Sequence, residues 1–163
     1  MQRSRLLLVL ACVAVVACTR DMTRRDVLLQ QQRVEERVNS WVRTMNNARV
    51  DSLLLFYHDV PELRVLWANG KKSSGFEETE QALRDFFAGI QYMNMALSEL
   101  EVQVLDRSVA EATFRHSTDI VGADNQRRPV SVGQGVLVLF RDASDDLWKI
   151  HTQILSVNQP STN

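Results

Sequence analysis

The feature that most constrains the fold is the C-terminal half, where four long β-rich runs follow one another with almost nothing between them. The runs are Tyr92 to Leu105, Val109 to Val121, Val130 to Phe140 and Leu147 to Val157. Two of the connections, Asp106-Arg107-Ser108 and Asp142 to Asp146, are short and rich in turn-forming residues, and the Gly122-Ala123-Asp124-Asn125 stretch carries the same chemistry. Strands joined so closely pair antiparallel, because a parallel crossover needs a dozen or more residues. The second half of the chain is therefore a meander.

The first half has the opposite texture. Val27, Val34, Val38, Trp41, Val42 and Met45 recur at steps of three, four and seven, one apolar stripe on a long helix. Thr23 with Asp26 three residues on forms a capping box at its start, and Asn46-Asn47 ends it. A second helix is expected from Asp51, as N-cap, to Tyr57, closed by Pro61. Leu63 to Trp67 then reads as a strand, returning through Asn69-Gly70, whose hairpin turn calls for positive φ at both residues, to a short strand Lys71 to Phe76. A third helix follows from about Glu77 to Ile90, with Ala82, Leu83, Phe86 and Phe87 on one face. The order predicts an α+β domain, with three N-terminal helices on one face of a curved antiparallel sheet of four long strands plus a short hairpin.

The N-terminus carries a separate message. Arg3 and Arg5 precede an apolar run from Leu6 to Ala17, about half the roughly 20 residues a membrane-spanning helix needs. Val15-Val16-Ala17-Cys18 resembles the bacterial lipobox, whose cysteine is lipidated on sulfur and becomes the new N-terminus; the bland alternative is an ordinary residue after a conventional cleavage site. The organisation expected is a leader over 1–17, a tether over 18–24, a domain over 25–158 and a tail over 159–163. Thr19 after the cysteine, rather than an aspartate, resembles lipoproteins sent to the outer membrane, which implies a domain facing the periplasm.

That reading disposes of both cysteines. Cys12 leaves with the leader and Cys18 takes the lipid, so the domain has no disulfide, thiolate nucleophile or cysteine metal ligand. Loss of Arg3 and Arg5 moves the net charge from −1 to −3. A mildly acidic surface offers no footprint for nucleic acid and no polybasic patch for anionic lipid, and Arg127-Arg128 is too short to make a nucleic-acid patch. Three histidines far apart in sequence do not make a zinc site, and no phosphate loop, dinucleotide fingerprint or nucleophile elbow occurs, so neither metal nor cofactor is expected.

Taken together, four segments resemble the nuclear transport factor 2-like fold, in its SnoaL-like and ketosteroid-isomerase-like branch. They are the long first helix followed by Asp51-Ser52-Leu53-Leu54-Leu55-Phe56-Tyr57-His58-Asp59, the hairpin into Gly75, the helix ending Ala82-Leu83-Arg84-Asp85-Phe86-Phe87, and Asp145-Asp146-Leu147-Trp148-Lys149-Ile150-His151. The resemblance implies a cone-shaped half-barrel with a pocket for small apolar molecules, and a homodimer through the outer sheet face. It also implies a carboxylate base on the first strand of isomerase members, where this chain has Leu63-Arg64-Val65-Leu66-Trp67 and no acid. Many small SnoaL-like members carry histidines late in the last strand, at positions that hold Thr152 and Ile154 here; His151 has the opposite parity and is expected on the other face.

Strand alternation nominates the pocket residues. Ala112, Phe114, His116, Thr118 and Ile120 share one face, with His116 and Thr118 the polar members. Gln134 is the lone polar residue among Val130, Val132, Val136 and Val138, and Thr152 interrupts Trp148, Ile150 and Ile154. His116, Gln134 and Thr152 are thus expected to converge, with Tyr57 and Trp67 at the wall or rim and Asp119 and Asp59 as the nearest acids. Three roles stay open for such a cluster: a self-satisfied buried polar group, a ligand contact, or acid–base catalysis through His116. Two functions follow: a lipid-tethered module that binds a small apolar ligand or a partner, or a small-molecule isomerase, cyclase or dehydratase with His116 as general acid/base.

Overall fold

The structure, a computed structural model, describes residues 22–158; the expected leader, the expected lipidation site at Cys18 and the expected tail lie outside them. Helix α1 (Arg24–Asn46) starts at the expected capping box, the Thr23 hydroxyl accepting from the Asp26 N–H and the Asp26 carboxylate from the Thr23 N–H. Its apolar stripe buries Val34, Val38, Trp41, Val42 and Met45. Gln30 is buried with them because its side-chain oxygen accepts from Trp148 Nε1 at 3.2 Å.

The second helix is shorter than expected. Helix α2 (Val50–Leu54) has Arg49 at its N-cap, so Asp51 falls inside the first turn, where it pairs with Arg84 at 2.8 Å. The chain then leaves the helix because residues 56–58 are needed elsewhere: Ile150 N–H donates to Phe56 O and His58 N–H to Ile150 O.

Strands β1 (Arg64–Leu66) and β2 (Lys72–Ser74) form the expected hairpin. Its turn differs in type. Only Gly70 has positive φ, at 80°, and its N–H donates to Trp67 O while Trp67 N–H donates to Lys71 O. That is a three-residue loop closing on a glycine bulge, with Asn69 helping through its side-chain oxygen to Lys71 N–H. Helix α3 (Phe76–Ala88) follows, burying Thr79, Leu83 and Phe87.

The meander is β3 (Ile90–Val104), β4 (Val109–Gly122), β5 (Ser131–Arg141) and β6 (Trp148–Val157). The sheet has six strands in the order β2-β1-β6-β5-β4-β3. It is mixed rather than antiparallel throughout, because β1 pairs parallel with β6. Those two strands are remote in sequence, so no tight turn dictates their direction.

Three irregularities interrupt the sheet's register. In β3 it shifts between Ile90 and Tyr92 and again between Ser98 and Glu101, with Glu99 at φ 53°. In β6 the partner of Val138 is Thr152 and that of Leu139 is Ile150, so His151 is an extra residue, a β-bulge. The bulge reverses the strand's alternation. Trp148 and Ile150 point inward before it, Gln153 and Leu155 after it.

Candidate functional site

Under the concave face the space is filled at one end and open at the other. The open end is a cleft of about 890 Å³. Its floor is Met93 and Met95 of β3 with His116, Thr118 and Ile120 of β4; Leu155 and Val157 of β6 and Met45 of α1 close the back. The β1–β2 hairpin, from Trp67 through Lys72, and Ala82, Asp85 and Phe86 of α3 form the opposite wall.

Local chemistry explains why each of these is there. Asn46, the last residue of α1, grips the Met95 backbone with both ends of its amide, accepting from the N–H at 2.7 Å and donating to the carbonyl at 2.9 Å. This fixes Met45 and Met95 against each other at the cleft floor. On the other side, the Ser73 and Thr79 hydroxyls meet at 3.1 Å and Thr79 donates to Gly75 O, locking the hairpin to α3.

The inner face of β5 at this end is glycine. Gly135 pairs with Phe114 and Gly133 with His116, and each aromatic ring lies across the bare backbone of its partner. A Cβ on Gly135 would sit 2.2 Å from the Phe114 ring; one on Gly133 would sit 1.7 Å from Ser156 O and 2.9 Å from His116 Nε2. The two glycines therefore let β4 rings reach past β5 to β6.

His116 uses that passage. Its Nε2 lies 3.0 Å from Ser156 O, a carbonyl that can only accept, so Nε2 carries the proton. Nδ1 is then the acceptor for the Thr118 hydroxyl, at 3.3 Å. The residue is only 2% exposed, and burial holds its imidazole below the ordinary histidine range, partly opposed by the Ser156 bond. His116 is a neutral imidazole with both nitrogens engaged inside the protein. The Thr118 hydroxyl, with lone pairs to spare, is the polar group this pair presents to the cleft.

Of the residues nominated from the sequence, His116, Thr118 and Trp67 come together in the cleft. Three do not. Gln134 is exposed on the outer face of β5, because Gly133, Gly135, Leu137 and Leu139 are the inward set and the valines with Gln134 are the outward one. The longer side chains misled the alternation; the glycines were the inner residues. Thr152 lies on the outer side, moved there by the His151 bulge. Tyr57 is in the core, accepting from Trp41 Nε1 at 3.3 Å and donating to Gln153 Oε1 at 2.8 Å. His151 faces away from the cleft, as expected from parity, and packs on Phe140 with ring centroids 4.5 Å apart.

The nearest acids are also elsewhere. Asp119 is on the outer face, held by Arg127, which keeps its carboxyl below the usual range; Asp59 is exposed. Two cleft carboxylates that sequence reasoning passed over, Glu78 and Asp85, come from α3, and they accept from Ser74 N–H and Gln81 Nε2 respectively, each at 2.8 Å. Sequence reasoning also missed the methionine floor, although Met93 and Met95 two apart in a strand were a legible signal for one face. It missed Gln153 for want of any signal of the bulge. Gln153 is fully buried, and its Nε2 has no partner among the described residues. No group of three His, Cys, Asp or Glu side chains gathers to hold a metal among the described residues.

The arrangement offers a methionine-lined recess with the hydroxyls of Thr118, Ser73 and Ser131 in its lining and the charged residues Lys71, Lys72, Glu78, Asp85 and Arg128 around it. Methionines adapt to irregular ligand shapes, and the rim is open to water.

Comparison with curated protein sequences finds no match. Among solved structures the fold is well populated. A ketosteroid isomerase-like protein from Erwinia carotovora atroseptica superposes with a TM-score of 0.68 at 14% identity, covering 80% of this chain and 98% of that one. A nuclear transport factor 2-like superfamily protein from Salmonella enterica serovar Typhimurium gives 0.68 at 17% identity, covering 80% and 92%. A provisionally assigned dehydratase of the nuclear transport factor 2-like family from Streptomyces avermitilis gives 0.68 at 15%, covering 81% and 98%. At these identities the likeness is one of fold. The SnoaL-like domain family itself matches residues 34–160, and with that span the chain belongs to the SnoaL-like family.

Proposed function

We propose that this protein is a lipid-anchored envelope domain that binds a small, largely apolar ligand in the cleft without transforming it. The observation that carries this reading is the state of His116. A general base needs a free lone pair aimed at substrate and, for activation, a charged partner. Here the lone pair on Nδ1 faces Thr118, Nε2–H is given to Ser156 O, and the acids lining the cleft, Glu78 and Asp85, belong to α3 across it. The family's first-strand acid is absent as well.

Anchoring through Cys18 is supported by the Arg3–Ala17 leader, and the Thr19 that follows supports the outer membrane, facing the periplasm. A homodimer through the outer sheet face is supported by Val132 and Ile154, 49% and 41% exposed there. The second reading is a dehydratase- or isomerase-type enzyme using His116. It is favoured by the place of His116 in the cleft and by the isomerase-like and dehydratase names of proteins with this fold.

Native mass spectrometry of the protein released from membranes in mild detergent tests the choice. The expected result is a dimer with a small added mass that disappears in an Ala82→Trp variant, which fills the recess. Turnover of a cyclic enolisable ketone by the wild type, lost in His116→Ala, would overturn the binding reading in favour of the enzyme.

A further inference from the structure

Nine large hydrophobic side chains are exposed among the described residues, and four of them are leucines at one end of the molecule. These are Leu28, Leu29, Leu105 and Leu147, between 45% and 58% exposed. Their common location follows from the hydrogen bonds around them. Gln31 Nε2 donates to Val102 O at 3.1 Å, tying the first turns of α1 to the end of β3 that runs into Leu105. Gln30 takes the Trp148 indole N–H, tying the same turns to the strand that begins just after Leu147. At 100° per residue, Leu28 lies on the flank of α1 toward Gln31 and β3, and Leu29 on the flank of Arg33 and Arg37, beside β6. The β3–β4 and β5–β6 turns are neighbours at this end of the sheet, since Val109 pairs with Phe140 and Arg141 with Trp148.

Basic side chains stand beside these leucines. Arg24 and Arg25 are exposed in the first turn of α1. The acids of the β5–β6 turn are paired in place: Asp142 and Asp145 share Lys149, at 2.6 and 2.8 Å, and Asp146 pairs with Arg141 at 2.6 Å. Asp106 is folded back onto the Ser108 and Val109 N–H groups.

We propose that this end of the domain seats on the bilayer surface, with Leu28, Leu29, Leu105 and Leu147 entering the headgroup boundary and Arg24 and Arg25 meeting lipid phosphates. The proposal rests on the reading of Cys18 as the lipid anchor. Geometry then chooses the end. Cys18 is five residues before Thr23, a reach of at most about 18 Å fully extended. Helix α1, with 23 residues, is about 35 Å long, so the tether cannot bring the far end down in place of the near one. The cleft opens at the other end, beside Met45 in the last turn of α1, so seating leaves its mouth facing away from the bilayer.

The test uses the full chain, processed and lipidated in a bacterial host, in which Cys18 is blocked and one introduced cysteine takes an environment-sensitive dye. Leu28→Cys, Leu147→Cys and, as the far-end reference, Ala123→Cys are labelled and placed on vesicles of phosphatidylethanolamine with a minority of phosphatidylglycerol. Seating predicts a blue shift and about a twofold or greater rise in emission at 28 and 147, quenched by headgroup nitroxide lipid, with no change at 123. Vesicle-bound protein whose three positions respond alike would overturn the seating and leave the anchor standing. Protein in the supernatant with an unmodified Cys18 would remove the anchor, and the seating with it. Far-UV circular dichroism on each variant separates misfolding from loss of contact.

Discussion

The two ends of the space beneath the sheet are built on the same strands and do opposite things. At the end where α1 begins the inward residues of β5 and β6 are Leu137, Leu139, Trp148 and Ile150, all buried in the core. At the cleft end the same two strands offer Gly133, Gly135, Leu155 and Val157. The cone is solid where large side chains meet and hollow where β5 gives up its side chains to let two rings lie across it. A pocket of this kind is made by omission, and it is bounded by flexible methionines rather than by a rigid wall.

Opposite changes should therefore hurt the two ends about equally. Leu137→Ala at the solid end leaves a cavity and is expected to cost about 3 to 4 kcal/mol in urea melts. Gly133→Ala at the hollow end adds one methyl yet should cost about 3 kcal/mol, because the clash is with the Ser156 backbone. A Gly133→Ala protein as stable as wild type would break the comparison.

The next effect lies between the ends. Tyr57→Phe strands Trp41 Nε1 and Gln153 Oε1 and should cost about 2 kcal/mol. Gln153 already has a buried amide without a partner, so Tyr57→Phe with Gln153→Leu should recover part of that loss in the same melts.

A smaller effect is the pH dependence. Burial lowers His116, and burial followed by the neighbouring His58 lowers His151. The unfolded chain then takes up protons before the folded one does. Stability is fully present above the unfolded value near 6.5 and is lost as pH falls from there toward the folded values, by at most about 1.4 kcal/mol per pH unit for each histidine. Melts between neutral and mildly acidic pH should show this slope, and His116→Gln should flatten it at the cleft end without touching the His151 share. An unchanged slope would mean that His116 is not held neutral by the cleft.

The smallest effect is expected on the outer face. Gln134→Ala should shift stability by no more than about 0.5 kcal/mol and leave any bound ligand in place. Loss of the ligand would return Gln134 to the site.

Much of the fold was legible because its signals are local. The capping box at Thr23, the α1 stripe and the order of the four long strands read directly as helix and meander. Half of the site was legible for the same reason: β4 has no bulge between Ala112 and Ile120, so His116 and Thr118 kept the parity their spacing predicted. Gln134 was misread because valines look like core residues and glycines do not, yet only glycine admits the Phe114 and His116 rings. Thr152 was misread because one extra residue at His151 reverses everything beyond it.

What the sequence determined alone is therefore the set of elements and their order, since each depends on residues a few positions apart. The tertiary structure decided the parallel seam between β1 and β6, the bulges, and which end of the cone stays hollow. Those depend on how far the sheet must bend around α1 and on which side chains meet across it. The β1–β6 seam joins Arg64 to Thr152, at opposite ends of the domain's sequence, and no local pattern records such a contact.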